Sequence, residues 1–337
     1  MISRLTSRIP VRAFALVVIL AAAGYSPRGA AELDLDRVFE PVIALEARVP
    51  GDARSADTLG TVRGGTGIII DGSGLVLTIG YLIMEAVEVD LLPNGLGGGR
   101  LPADVVAWDQ NTGLGLVRSR QPLAAAPMPL GESAPLRSGD AVIAVSWERM
   151  DGLLPAVVVE RRVYAGYWEY LLEDAIFVAP IHPGFPGAAL IDLQGRLVGI
   201  GGFALSDEVD EDEVVGSVFV PIDALKPVLA ELLLDGRPSE LRPWIGLYCE
   251  EAGGVLRVRR VPAYGPAARA GVQAGDRVVS VAGTRVVSLE DFYRRLWSSV
   301  RPGERVLLGL QRGGEPFSME VKAGDRYSTL RLNYLPR

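Results

Sequence analysis

Short apolar runs separated by turn-forming residues set the rhythm of this chain from Val42 onward. Ile68 to Ile70 and Leu75 to Leu77 flank Asp71-Gly-Ser-Gly74, the pattern of a hairpin. Val87 to Leu92, an Asn94-Gly95 turn and Leu101 to Ala107 continue the series. Leu130 to Val145, Ala156 to Val159, Tyr170 to Val178, Leu197 to Ile200 and Gly216 to Pro221 supply a second set. Strands of this length and spacing predict a mostly β fold, a barrel or a sandwich. Helical spacing is expected over Pro221 to Gly236, with Asp223 as cap and Gly236 as stop. It is expected again after Ser288, a good cap, where Leu289, Phe292 and Leu296 fall on one face.

The chain has 337 residues, enough for two or three domains, and 40 Gly with 23 Pro favour strands and turns over long helices. Its formal charge is -7; residues 1–31 carry four arginines and no acid, so the remainder stands at -11. That balance argues against a nucleic-acid binder, which needs a basic face for phosphates. Arg4, Arg8 and Arg12 precede the apolar run Ala13 to Ala23, and Gly29, Ala30 and Ala31 follow. This is the order of a secretory signal over residues 1–31 and implies a periplasmic destination. An uncleaved membrane anchor is the alternative, although the run is short for a span of about 20 residues. Cys249 is the only cysteine and His182 the only histidine, which argues against an internal disulfide and against Cys- or His-rich zinc sites. No metal and no cofactor are expected. Asp207 to Glu213 places six acids in seven residues, expected as a solvated loop.

The densest turn is Pro183-Gly-Phe-Pro-Gly187, between Val178-Ala-Pro and the run Ala188 to Ile191. It resembles the nucleophile loop of HtrA/Deg serine proteases, Asn-Pro-Gly-Asn-Ser-Gly-Gly-Pro-Leu. Gly64 to Thr78 resembles the hairpin that leads to that family's catalytic histidine, and Asp109 to Val117 resembles the segment with its catalytic aspartate. Ala263 to Gly283 resembles the PDZ signature, with Trp244-Ile-Gly-Leu247 at the place of the carboxylate-binding loop. The resemblance covers about residues 38–323 in the family's order. It implies a chymotrypsin/trypsin-like double β-barrel over 32–238, a PDZ domain over 239–325 and a tail over 326–337.

The same resemblance puts Tyr81, Gly113 and Pro186 at the histidine, aspartate and serine positions. A phenol protonated at neutral pH is no general base, glycine orients nothing, and proline has no hydroxyl. The family's oxyanion donors fall on Gly184 and Pro186, and Pro186 lacks the N–H. The expected protein is therefore a pseudoprotease without catalytic residues. Its expected peptide-binding residues are Trp244, Ile245, Gly246, Leu247, Leu289 and Phe292, with core roles equally open for the last two. Arg242 is expected as an exposed linker charge, Cys249 as strand filling and His182 as a turn histidine bonded to backbone. Expected partners are peptide C-termini or misfolded exported proteins and an active HtrA relative, with a trimer implied by the resemblance. An active endopeptidase with a non-standard site and a structural subunit of an oligomer are the competing readings.

Overall fold

The computed structural model describes residues 33–93, 99–209 and 212–334. The expected leader and the Asn94-Gly95 turn lie outside the described residues.

A short helix α1 (Leu35–Phe39), capped by the Asp34 carboxylate, leads into the first barrel. Its strands are β1 (Val42–Arg48), β2 (Val62–Ile69), β3 (Leu75–Ile79), β4 (Glu88–Leu92), β5 (Leu101–Trp108) and β6 (Leu114–Ser119), closed in the order β1-β2-β3-β6-β5-β4. Helix α2 (Ala56–Leu59) lies in the β1–β2 connection. The β2–β3 turn forms as the sequence predicts: the Asp71 carboxylate accepts from the N–H groups of Ser73 and Leu75 at 2.8 and 2.9 Å. A second barrel repeats the plan with β7 (Ala141–Val145), β8 (Leu153–Gly166), β9 (Tyr170–Ala179), β10 (Ala189–Ile191), β11 (Leu197–Val209) and β12 (Asp212–Pro221). It closes as β10-β11-β12-β9-β8-β7. One cluster of buried apolar side chains draws on both barrels, which joins them along their facing walls, and the second barrel holds a further cluster of its own around Phe219.

Two expectations fail here for local reasons. The described part of the acidic run is strand: β11 and β12 stay paired out to Val209 opposite Asp212, and Asp210 and Glu211 lie outside the described residues. The helix expected over Pro221 to Gly236 forms only as α3 (Leu229–Asp235), after a single 3-10 turn at Ile222–Ala224. Pro227 supplies no N–H and disfavours helix at the residue before it, which delays the start. Asp223 therefore caps no helix. Its carboxylate instead takes the N–H groups of Ser133 and Ala134 and the Lys226 ammonium, which hold it at about 2. Gly236 ends α3 as expected, with a left-handed φ of +71°.

The third unit contains β13 (Pro243–Trp244), β14 (Tyr248–Ala252), β15 (Val255–Arg260), α4 (Pro266–Ala270), β16 (Arg277–Val281), β17 (Thr284–Arg285), α5 (Leu289–Ser299), β18 (Arg305–Arg312), β19 (Glu315–Lys322) and β20 (Gly324–Asp325). Its sheet runs β14-β15-β16-β18-β19, with β17 paired to β16 and β13 to β20. Ser288 caps α5 by accepting from the Asp291 N–H at 3.0 Å. The chain then returns to the first barrel through α6 (Arg326–Thr329). Tyr327 donates to the Trp108 carbonyl at 3.0 Å and accepts from the Gln110 N–H at 2.8 Å. The segment after the third unit is thus a strap across the first barrel.

Candidate functional site: a sealed turn and an occupied loop

The Pro183–Gly187 turn is wedged between the barrels. Pro186 offers its carbonyl to the Thr66 N–H of β2 at 2.9 Å, and Gly187 donates to the Gly201 carbonyl of β11 at 2.9 Å. Gly187 has φ +77°, and a Cβ there would lie 2.1 Å from the Thr66 carbonyl oxygen. A Cβ on Gly201 would sit 2.0 Å from the Phe185 carbonyl oxygen. Only glycine fits either place, so the backbone shape of the turn is enforced from both sides. What this rigidity presents to solvent is a proline with no N–H and no hydroxyl.

The two other expected positions lie beside it. Tyr81, Gly113 and Phe185 share one cavity of about 570 Å³. The Tyr81 hydroxyl donates to the Gly202 carbonyl at 3.0 Å, and burial pushes its ionisation well above the ordinary phenol range. It can take no proton from a substrate. Gly113 has φ +80°, and a Cβ there would meet the Tyr170 hydroxyl at 3.0 Å. Tyr170 fills the space into which a side chain at 113 would point.

Among the described residues no serine hydroxyl bonds the ring of His182. His182 is buried, and its Nε2 lies 2.7 Å from the Gly152 carbonyl, which makes Nε2 the protonated nitrogen. Its Nδ1 has no partner. Ser217 accepts from the His182 backbone N–H and does not reach the ring. Ser146 donates to Glu148 at 2.7 Å, and Ser133 donates to Asp223 at 2.9 Å. The expectation of a turn histidine bonded to backbone agrees with this geometry.

The expected carboxylate loop is intact but not empty. Trp244, Ile245 and Leu247 are buried, and Gly246 has φ +74°, which turns successive N–H groups toward one point. The carboxylate of Glu169 sits there, accepting from Ile245 N–H at 3.0 Å and Leu247 N–H at 2.7 Å. Glu169 ends the three-residue turn between β8 and β9, where Gly166 pairs with Tyr170. Such turns place their last residue in the left-handed region, which favours glycine, and Glu169 adopts it with φ +59°. A non-glycine residue there costs roughly 1–2 kcal/mol. Burial pushes its carboxyl up to about 7, against the pull of the loop N–H groups and of Arg326.

The rest of the turn follows Glu169 into the groove. The Cys249 N–H of β14 donates to the Tyr167 carbonyl at 3.1 Å, as a sheet edge does to an added strand. On the other wall, Tyr293 of α5 donates to the Gly166 carbonyl at 2.7 Å and accepts from the Glu169 N–H at 3.0 Å. Leu171 is buried within the core of the third unit, beside Ile245 and Leu289. Leu289 and Phe292, open between groove and core in the sequence, are both core. Cys249 fills the strand interior as expected, and burial pushes its thiol up. Arg242 is a correction. It is half-buried, stacks 4.2 Å over the Trp297 ring and donates to the Leu171 carbonyl at 3.0 Å. The linker is too short to leave it in solvent between two packed units. Sequence reasoning missed Glu169; the run Tyr164-Ala-Gly-Tyr-Trp-Glu-Tyr170, four aromatic residues and an acid, was its visible trace.

Fold and site together define a trypsin-like domain joined to a PDZ domain. Residues 65–200 match the trypsin-like peptidase domain and residues 243–323 the PDZ domain. The chain belongs to the HtrA family. It is 30% identical over 321 residues to the chloroplastic Protease Do-like 1 of Arabidopsis thaliana, covering 86% of this chain and 71% of that one. It is 28% identical to the periplasmic pH-dependent serine endoprotease DegQ of Escherichia coli, over 76% of this chain and 58% of that one. A probable periplasmic serine endoprotease, DegP-like, from Bartonella henselae is 26% identical over 77% of this chain and 52% of its own length. The chain thus spans little more than half of these last two relatives. Among solved structures, the HtrA-type protease AlgW with decapeptide shares the fold, with a TM-score of 0.51 at 20% identity, covering 87% of this chain and 99% of that one.

Proposed function

We propose that this HtrA-family chain performs no acyl transfer and acts by binding peptide C-termini through its PDZ domain, which its own β8–β9 turn keeps closed until a ligand displaces it. The observation that carries this reading is the Glu169 carboxylate on the N–H groups of Ile245 and Leu247. A loop that holds a side-chain carboxylate this way has the donors to hold a terminal one. Tyr81, Gly113 and Pro186 supply no base, no orienting acid and no nucleophile, which supports the loss of chemistry. Periplasmic relatives and the charged, then apolar, then small-residue order of residues 1–31 support an exported protein. In that compartment the ligands are misfolded exported proteins or an active HtrA relative whose activity the chain tunes.

The test is direct. The purified protein is treated with a fluorophosphonate probe and offered unfolded casein. Absence of labelling and of cleavage is expected. Cleavage that disappears on mutating one defined side chain overturns the reading and restores the endopeptidase alternative.

A further inference from the structure

The cavity beside the degenerate triad has a composition that peptide hydrolysis does not explain. Its 570 Å³ lies in the size range of small-molecule sites, and its walls come from both barrels, the PDZ unit and the strap. Phe203 stands at the middle of an aromatic box. Tyr164 stacks on it with ring centres 5.1 Å apart, and Trp168 and Tyr170 pack at 5.0 and 5.5 Å. Two of the phenols are spent on backbone: Tyr81 donates to the Gly202 carbonyl, and Tyr170 donates to the Thr112 carbonyl at 2.5 Å. The box offers a ligand ring faces and edges, and the hydroxyls of Tyr164, Tyr167, Tyr248 and Tyr264 add polar points on the same walls.

The charged lining is of one sign. Arg54, Arg260 and Arg326 all line the cavity. Arg54 sits 4.6 Å over the Tyr264 ring, Arg260 donates to the Thr58 hydroxyl at 2.7 Å, and Arg326 donates to the Trp168 carbonyl at 3.3 Å. None of the three forms an ion pair with a described carboxylate. The two buried acids nearby are committed elsewhere. Glu85 accepts from the N–H groups of Ser55 and Arg331 at 2.7 and 2.9 Å, and Glu169 is held by the PDZ loop. In a chain of net charge -7, three arginines that line an aromatic chamber with no carboxylate on its wall form a local field that attracts an anion, although Glu169 lies within reach of Arg326.

We propose that this cavity binds a small amphipathic anion, an acyl chain or aromatic body seated in the Phe203 box with one carboxylate head among Arg54, Arg260 and Arg326. The apolar body supplies most of the affinity by leaving water, and the head supplies orientation and selectivity. The site shares an element with the peptide-binding reading: Tyr167 and Trp168 of the β8–β9 turn line the cavity, while Glu169 of that turn occupies the carboxylate loop, so the cavity described is that of the docked turn.

The experiment is calorimetric titration of the full chain with dodecanoate and with dodecyltrimethylammonium, each below its micelle concentration. Both have the same chain and differ in head charge. One-to-one binding of dodecanoate, at least about tenfold tighter than the cation, is expected. The doubly substituted R54Q/R260Q chain, altered only at exposed side chains, is expected to lose about tenfold for dodecanoate and to bind the cation no more weakly than the parent chain. Equal affinity for the two heads, absence of saturable dodecanoate binding, or dodecanoate affinity unchanged in R54Q/R260Q overturns the proposal. Trp168 and Trp108 line the cavity, so a shift in tryptophan emission on addition of dodecanoate is a second readout. Emission that stays unchanged while calorimetry reports binding places the ligand elsewhere and also overturns it.

Discussion

Two loops of this molecule stand where the proposed function places its sites, and they differ in what they hold. The Pro183–Gly187 turn keeps its backbone course, locked by Thr66 and Gly201, but carries no reacting group. The Trp244–Leu247 loop keeps its chemistry, since the N–H groups of Ile245 and Leu247 hold a carboxylate, but that carboxylate belongs to its own chain. Shape and chemistry are thus separable. A turn survives through packing of its backbone after its side chains change, whereas a donor nest persists only where N–H groups have something to hold.

The comparison breaks most severely at Gly187. Gly187→Ala places a Cβ 2.1 Å from a backbone oxygen at a left-handed φ, and a loss of more than about 3 kcal/mol is expected in urea denaturation. Glu169→Ala acts on the other loop and leaves two buried N–H groups unpaired. A loss of about 1–3 kcal/mol is expected, read as faster hydrogen exchange at Ile245 and Leu247 while exchange in the first barrel is unchanged. The smallest effect belongs to the rim. Arg294→Ala removes an exposed ion pair with Glu173 at 2.8 Å, and about 0.5 kcal/mol is expected.

Acidity sharpens the same contrast. The Glu169 carboxyl is raised from its ordinary 4.5 to about 7 in the docked state, so docking takes up a proton. Docking is then tightest below pH 4.5 and weakens as pH rises through 7. Exchange at the Ile245 and Leu247 amides, corrected for intrinsic rates, is expected to rise over that interval. Glu169→Gln is expected to flatten the dependence.

Much of the fold was legible because each hairpin carries its own local signal: Asp71 before its turn, Ser288 before its helix, glycine where φ is positive. Tyr81, Gly113 and Pro186 stand out in the sequence because each lies within a short, ordered motif. The Pro221 to Gly236 helix was overextended because Pro227 acts on the residues before it. The occupied groove was illegible for a deeper reason. Glu169 and Leu247 are 78 residues apart, and nothing local in Tyr-Trp-Glu-Tyr names the N–H groups it will meet. The aromatic cavity was hidden likewise, because its walls are brought together from Arg54 through Leu330.

The account rests on Glu169 standing in for a peptide's terminal carboxylate, and fluorescence anisotropy measures this most directly. Labelled peptides ending in a free carboxylate, and the same peptides amidated, are titrated with the full chain and with Glu169→Ala. The account predicts at least about tenfold tighter binding of the free-carboxylate peptides to Glu169→Ala, with little binding of the amidated ones to either chain. Equal affinity of the two chains for the free-carboxylate peptides, or indifference to amidation, would contradict it.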